Sequence, residues 1–216
     1  MNIFRPDGPL MEVLRKIMYL LLLNMIFLVC CIPVITIGPA FTSLSYSIHK
    51  TLKHDLSYPI KEYFQCFKRC FKQSCPFGIV VTLIALMFVC DVWILKEVVA
   101  EGATFGNTYV FFYVLGIFLF LFAVWVLGSI ARFTNSLKNI MKNASILMIR
   151  HIGTSILILL IAAASLVCMM LLPITMIVMP AVMVWLMTEV MERVFKKYMT
   201  PEELEREAKK DMIDED

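Results

Sequence analysis

Leu28-Val29-Cys30-Cys31-Ile32-Pro33-Val34-Ile35-Thr36-Ile37-Gly38-Pro39-Ala40 lies inside 32 consecutive uncharged residues, 17–48. A helix rises about 1.5 Å per residue, so roughly 20 apolar residues cross a hydrocarbon core of about 30 Å. The run overshoots one crossing and falls short of two. Pro33, Gly38 and Pro39 supply a break, because proline removes a backbone donor and glycine admits a turn. The stretch therefore predicts a span over 17–36 and a short returning helix over 40–53.

Working outward, further spans are expected over 77–95, 108–131, 152–172 and 174–191, the last bearing Pro180. Across 216 residues, 60% are hydrophobic and 17% charged, with a mean hydropathy of +0.81. Soluble enzymes, nucleic-acid-binding domains and secreted disulfide scaffolds do not have this composition. The expected fold is all-α, a polytopic transmembrane helix bundle of about five spans plus one short returning helix, occupying residues 1–200. Thr200-Pro201-Glu202-Glu203 reads as an N-cap, an N1 proline and a capping-box glutamate opening a polar, acidic tail over 201–216. The lipid bilayer is the first partner, and nucleic acid is not one.

Lys and Arg set the orientation. If the short helix returns to the starting side, 19 of the 20 Lys and Arg residues fall on the cytoplasmic side; otherwise 16 do. The reading is thus a cell-membrane, multi-pass protein with both termini cytoplasmic, although the immediate flanks of the first span, three cations before and six after, point the other way. An internal echo accompanies the turn. Residues 33–40 resemble residues 173–181, with Pro173 and Pro180 standing where Pro33 and Pro39 stand. Each copy precedes a short apolar helix that ends in cations, as two copies of one hairpin would. Chance likeness among apolar residues competes with that reading.

Two amphipathic stretches lie outside these spans. Over 58–75, Ile60, Tyr63, Phe64, Phe67 and Phe71 recur at helical spacing, while Lys61, Lys68, Arg69 and Lys72 project from other faces. This is the pattern of an interfacial helix whose phenylalanines sink below the headgroups, each cation near an anionic surface contributing about 1 kcal/mol. Phe64, Phe67, Phe71, Lys61, Lys68, Arg69 and Lys72 are therefore the candidate contacts for lipid or for a partner. A second stripe, Ile130, Phe133, Leu137, Ile140, Met141 and Ala144, reads as the third span continuing into the cytoplasm.

Chemistry-bearing motifs are sparse. The seven cysteines form no framework, and Cys66, Cys70 and Cys75 lack a C-x-x-C pair or a histidine at ligand spacing. There is no phosphate loop, no H-E-x-x-H, no G-x-S-x-G and no inward carboxylate pair. His49, His54 and His151 sit at membrane boundaries and read as interfacial side chains. Glu189 with Arg193, and Glu192 with Lys196, read as i, i+4 pairs on a helix surface. Asn24 is the one strongly polar side chain deep in the first span, suited to an interhelical hydrogen bond. No catalytic residue, cofactor-binding residue or metal ligand is assigned, and the chain is not expected to be an enzyme.

The run 28–40, followed by Ser45-Tyr46, Tyr63-Phe64, residues 67–72, Ala131-Arg132-Phe133, Lys142-Asn143-Ala144 and residues 173–181, resembles the YesL-like family of bacterial membrane proteins, itself a domain of unknown function. Members occur in Gram-positive bacteria, often encoded beside carbohydrate uptake and polysaccharide-degradation systems. The resemblance implies an accessory component linked to carbohydrate uptake or utilisation, with components of a sugar uptake system as partners. The alternative is a permease that itself moves a small solute. Spans without ionisable groups at their centres, and a 132–150 loop with neither an acidic residue nor glycine, favour the accessory.

Overall fold

The computed structural model describes residues 9–54, 58–100, 108–133 and 135–199. The expected tail over 201–216 and its Thr200 cap lie outside them. Among the described residues the chain is all helical: α1 (Pro9–Cys31), α2 (Ile37–His54), α3 (Pro59–Ala100), α4 (Thr108–Arg132), α5 (Leu137–Arg150), α6 (Ile152–Leu171) and α7 (Met179–Phe195). Short 3₁₀ turns, Val34–Thr36 and Pro173–Ile177, precede α2 and α7. Four helices, α1, α3, α4 and α6, are long and apolar enough to cross a membrane. The fifth expected span divides into the Pro173 turn and α7, whose 17 residues rise only about 25 Å.

Both expected breaks occur at their prolines, and they share a chemistry. Thr36 Oγ1 donates to the carbonyls of Pro33, at 2.7 Å, and Cys30. Thr175 Oγ1 donates to those of Leu172 and Cys168, at 2.6 and 3.3 Å. In each case a threonine hydroxyl places its donor on carbonyls at the helix end and the turn, three of which, those of Pro33, Cys168 and Leu172, also accept a backbone N–H, so the hydroxyl carries no unmet donor through the turn. Pro39 and Pro180 then sit in the first turns of α2 and α7, where a missing amide costs nothing.

Helix α2 is the most enclosed of the returning segments, with Gly38, Pro39, Ala40, residues 42–45, Ser47, Ile48 and Thr51 all buried. Its polar composition explains this rather than opposing it. Thr42 and Ser43 hydroxyls donate to the Gly38 and Pro39 carbonyls one turn back, at 2.9 and 2.7 Å, so these two side chains carry no unmet donor into the interior, whereas the buried Ser47 and Thr51 hydroxyls make no such bond. At Gly38 the backbones of α2 and α3 touch: a Cβ there would overlap the Ser74 carbonyl oxygen and press on Gly78.

Two expectations are corrected. The 59–75 stretch is not a separate surface helix but the first half of α3, whose 42 residues rise about 63 Å, roughly twice a hydrocarbon core. The helix runs through Pro76 at the cost of the amide that would bond the Lys72 carbonyl. The 130–144 stripe does not continue the third span either. Helix α4 stops at Arg132, and α5 folds back so that Ile140, Ala144, Leu147 and Met148 join the core around fully buried Trp125. The indole Nε1 donates to Ser155 Oγ at 3.0 Å, fixing α4 to α6.

Candidate functional site

Helices α2, α4 and α7 bring three ionisable side chains together at one end of the bundle. Arg132, in the last turn of α4, donates from Nη2 to Glu192 Oε1 at 3.0 Å. His49 of α2 places Nε2 3.7 Å from the same oxygen. Glu192 is 5% exposed, so its carboxylate is buried and neutralised across helices rather than lying on the surface of its own. One turn deeper, Ser45 Oγ and Thr188 Oγ1 share a hydrogen bond of 2.8 Å. Helices α2 and α7 thus meet residue for residue, hydroxyl to hydroxyl and imidazole to carboxylate, along one seam.

The register of α7 explains the inward turn. Ala181, Val184, Thr188 and Glu192 recur at spacings of three and four, forming the stripe that faces α2, so Glu192 inherits a buried position. The paired reading of the two glutamates therefore separates: Glu189 does meet Arg193 on the exposed surface, at 4.0 Å, whereas Glu192 is drawn to Arg132 and His49. Tracking the phase of the apolar stripe through the charged end of α7 is the signal that would have revealed it. A cavity of 350 Å³ lies beside the cluster, lined by His49, Trp185, Thr188, Glu189, Glu192 and Arg193 among others. Acid, base, hydroxyl and indole groups border it, an arrangement that suits a polar solute better than an apolar one.

The expected contact residues all lie on α3. Lys61, Phe64, Lys68, Arg69, Phe71 and Lys72 are exposed, while Phe67 is half-buried, stacked on Tyr63 at 6.2 Å. Tyr63, Cys66 and Cys70 form the buried face of this segment. Arg69 also reaches back across α2, its guanidinium 5.0 Å from the centre of the Tyr46 ring. The structure therefore holds the basic and aromatic residues on one supported helix rather than on a free one. Of the turn residues, Gly38 and Pro39 are buried, Pro33 is exposed, Pro180 is half-buried, and Pro173 opens its 3₁₀ turn. Asn24 makes the interhelical bond expected of it, its amide donating to the Ile177 carbonyl at the second turn.

Residues 17–92 match the model of a family described as a protein of unknown function, DUF624. The matched stretch contains the 28–40 turn, α2 and the basic and aromatic segment of α3, in agreement with the YesL-like resemblance. No curated protein and no solved structure matches the chain.

Proposed function

We propose, taking the family match over α1 to α3 as premise, that this protein is a non-catalytic accessory component of a carbohydrate uptake or utilisation system, seated in the cell membrane with both termini cytoplasmic. The observation that carries the reading is the α3 face: Lys61, Phe64, Lys68, Phe71 and Lys72 stand exposed on a helix whose opposite side is buried through Tyr63, Cys66 and Cys70. A supported row of aromatic anchors and cations can engage another protein without first paying to order a loop. The carbohydrate context comes from the resemblance of residues 28–40 and its companion motifs.

Co-purification from native membranes, with bound proteins identified, tests the proposal. Replacing Lys61, Lys68, Arg69 and Lys72 by glutamine should weaken association with anionic lipid and leave the partner bound. Replacing Phe64, Phe67 and Phe71 by serine should release components of the sugar system. Recovery of the same partners with the phenylalanine variant and the wild type would remove the docking role.

A permease is the second reading, and the 350 Å³ polar cavity at the α2–α7 seam favours it. Against it stands a groove of 600 Å³ between α3, α4 and α6, walled by residues such as Val81, Phe88, Phe112, Ile117 and Leu166, which offers a sugar almost no hydrogen-bonding groups. Sugar transport by the purified chain alone in liposomes would establish the permease and overturn the accessory role.

A further inference from the structure

Cys66 and Cys70 stand one turn apart on the buried face of α3, with their sulfurs 3.5 Å apart and 1% and 5% of each residue exposed. That separation is far beyond the ~2.05 Å of a disulfide, and both thiols are free. The Arg69 guanidinium lies beside them, with Nη2 4.0 Å from the Cys66 sulfur. The Cys70 sulfur is 3.9 Å from the Ile130 carbonyl oxygen. A cavity of 380 Å³, bordered by Arg69, Cys70, Gln73 and Phe133, reaches the Cys70 member of the pair beside the end of α4.

We infer that this dithiol is a binding site for a soft monovalent metal ion of the copper(I) type. Paired thiolates select soft ions. Structural zinc takes four ligands, and among the described residues no three His, Cys, Asp or Glu side chains converge. The ligand set is therefore one for an ion content with two sulfurs. Two thiolates and one monovalent cation carry a net single negative charge, which the Arg69 guanidinium, 4.0 Å from the Cys66 sulfur, offsets from the exposed side of the helix. Binding exchanges two thiol protons, which leave through the cavity, for two metal–sulfur bonds, with no change of oxidation state. At the ~2.3 Å metal–sulfur distance of thiolate sites, a two-coordinate bridge sets the sulfurs about 4.5 Å apart, so they must part by about 1 Å. Cys70, which borders the cavity, has the room to rotate.

The test is a titration of the full chain, reduced and in detergent under anaerobic conditions, with copper(I) against a chromophoric copper(I) chelator. One ion per chain is expected to be held. Cys66→Ser and Cys70→Ser should each weaken binding by more than about 100-fold, beyond the roughly 10- to 100-fold typical of an outer-shell partner, and Arg69→Gln should fall within that lesser range. Cys75→Ser and Cys90→Ser should leave it unchanged. Because serine in a buried position can disturb the fold, the wild type also provides two readouts of its own: copper-edge X-ray absorption showing two sulfur neighbours, and protection of Cys66 and Cys70 from alkylation by bound copper. Wild type that yields its copper to the chelator, copper retained by the Cys66→Ser, Cys70→Ser double variant, or alkylation that copper does not slow would each overturn the assignment.

Discussion

Removing Glu192 takes from the Arg132 guanidinium, at the junction of α2, α4 and α7, the carboxylate that lies 3.0 Å from its Nη2. The side chains of Arg132 and Glu192 are 18% and 7% exposed, so neither is solvated enough to stand alone. Breaking one partner of a buried pair costs about 3–5 kcal/mol. Residual access to water lowers that for Glu192→Ala, where the arginine left behind is the more exposed partner, to about 2–3 kcal/mol. Arg132→Ala leaves the deeper carboxylate with His49, 3.7 Å away, in place of the guanidinium and should cost about 3 kcal/mol. Replacing both, as Arg132→Met with Glu192→Leu, removes both charges and should recover most of the loss, because an apolar pair of similar size has no desolvation penalty. The assay is a double-mutant cycle with Arg132→Met and Glu192→Leu as its single corners, on purified protein unfolded by heat or SDS in one detergent, read as fraction folded. An interaction energy of about 2 kcal/mol or more, roughly a 30-fold shift in the equilibrium constant, is expected. Single variants that each cost less than about 1 kcal/mol and simply add would show that the junction does not hold the three helices together.

The contact at Gly38 sets a sharper spatial limit. Gly38→Ala should cost about 1–3 kcal/mol in the same unfolding assay, because backbone rather than a movable side chain stands in the way, whereas Gly116→Ala and Gly153→Ala, with open space around each, should be neutral or stabilising by up to about 1 kcal/mol. Trp125→Phe should lose about 1–2 kcal/mol and loosen α4 from α6, since the Ser155 hydroxyl keeps no indole donor; unchanged melting would count against that bond. Single cysteines introduced by Asp7→Cys, Gly102→Cys and Asp211→Cys in a cysteine-depleted background should react with an impermeant maleimide in intact cells only at 102. Labelling of position 7 from outside would remove the returning helix.

The helical class and the two breaks were legible because they rest on local rules: apolar length, the missing amide of proline and the absence of charge over long runs. The packing of those helices was not. Helix α2 looks too polar for an interior, yet its Thr42 and Ser43 hydroxyls bond to its own carbonyls, Ser45 bonds to Thr188, and Gly38 admits α3 at close range, properties of neighbours rather than of hydropathy. Helix α5 repeats apolar residues at a spacing that serves equally well for continuing α4 or folding back on it, and only the turn at Asn135 and Ser136 decides. The ion cluster was the least visible feature. His49, Arg132 and Glu192 each stand beside a plausible local partner or boundary, and although the phase of the α7 stripe turns Glu192 inward, nothing local names its partner 60 positions away.

The seam between α2 and α7 also imposes an order in time. Ser45 meets Thr188 across 143 residues, and His49 meets Glu192 across the same interval. At about 5–20 residues per second of synthesis, the N-terminal hairpin leaves the ribosome roughly 7–30 s before the helix that closes against it has been made. During that interval the hydroxyl and imidazole of α2 must be sheltered by water, lipid headgroups or the insertion machinery, so the later-made α7 acts as a latch over α2. Halting translation before α7 should leave an inserted but protease-sensitive α2, and releasing the arrest should restore its protection.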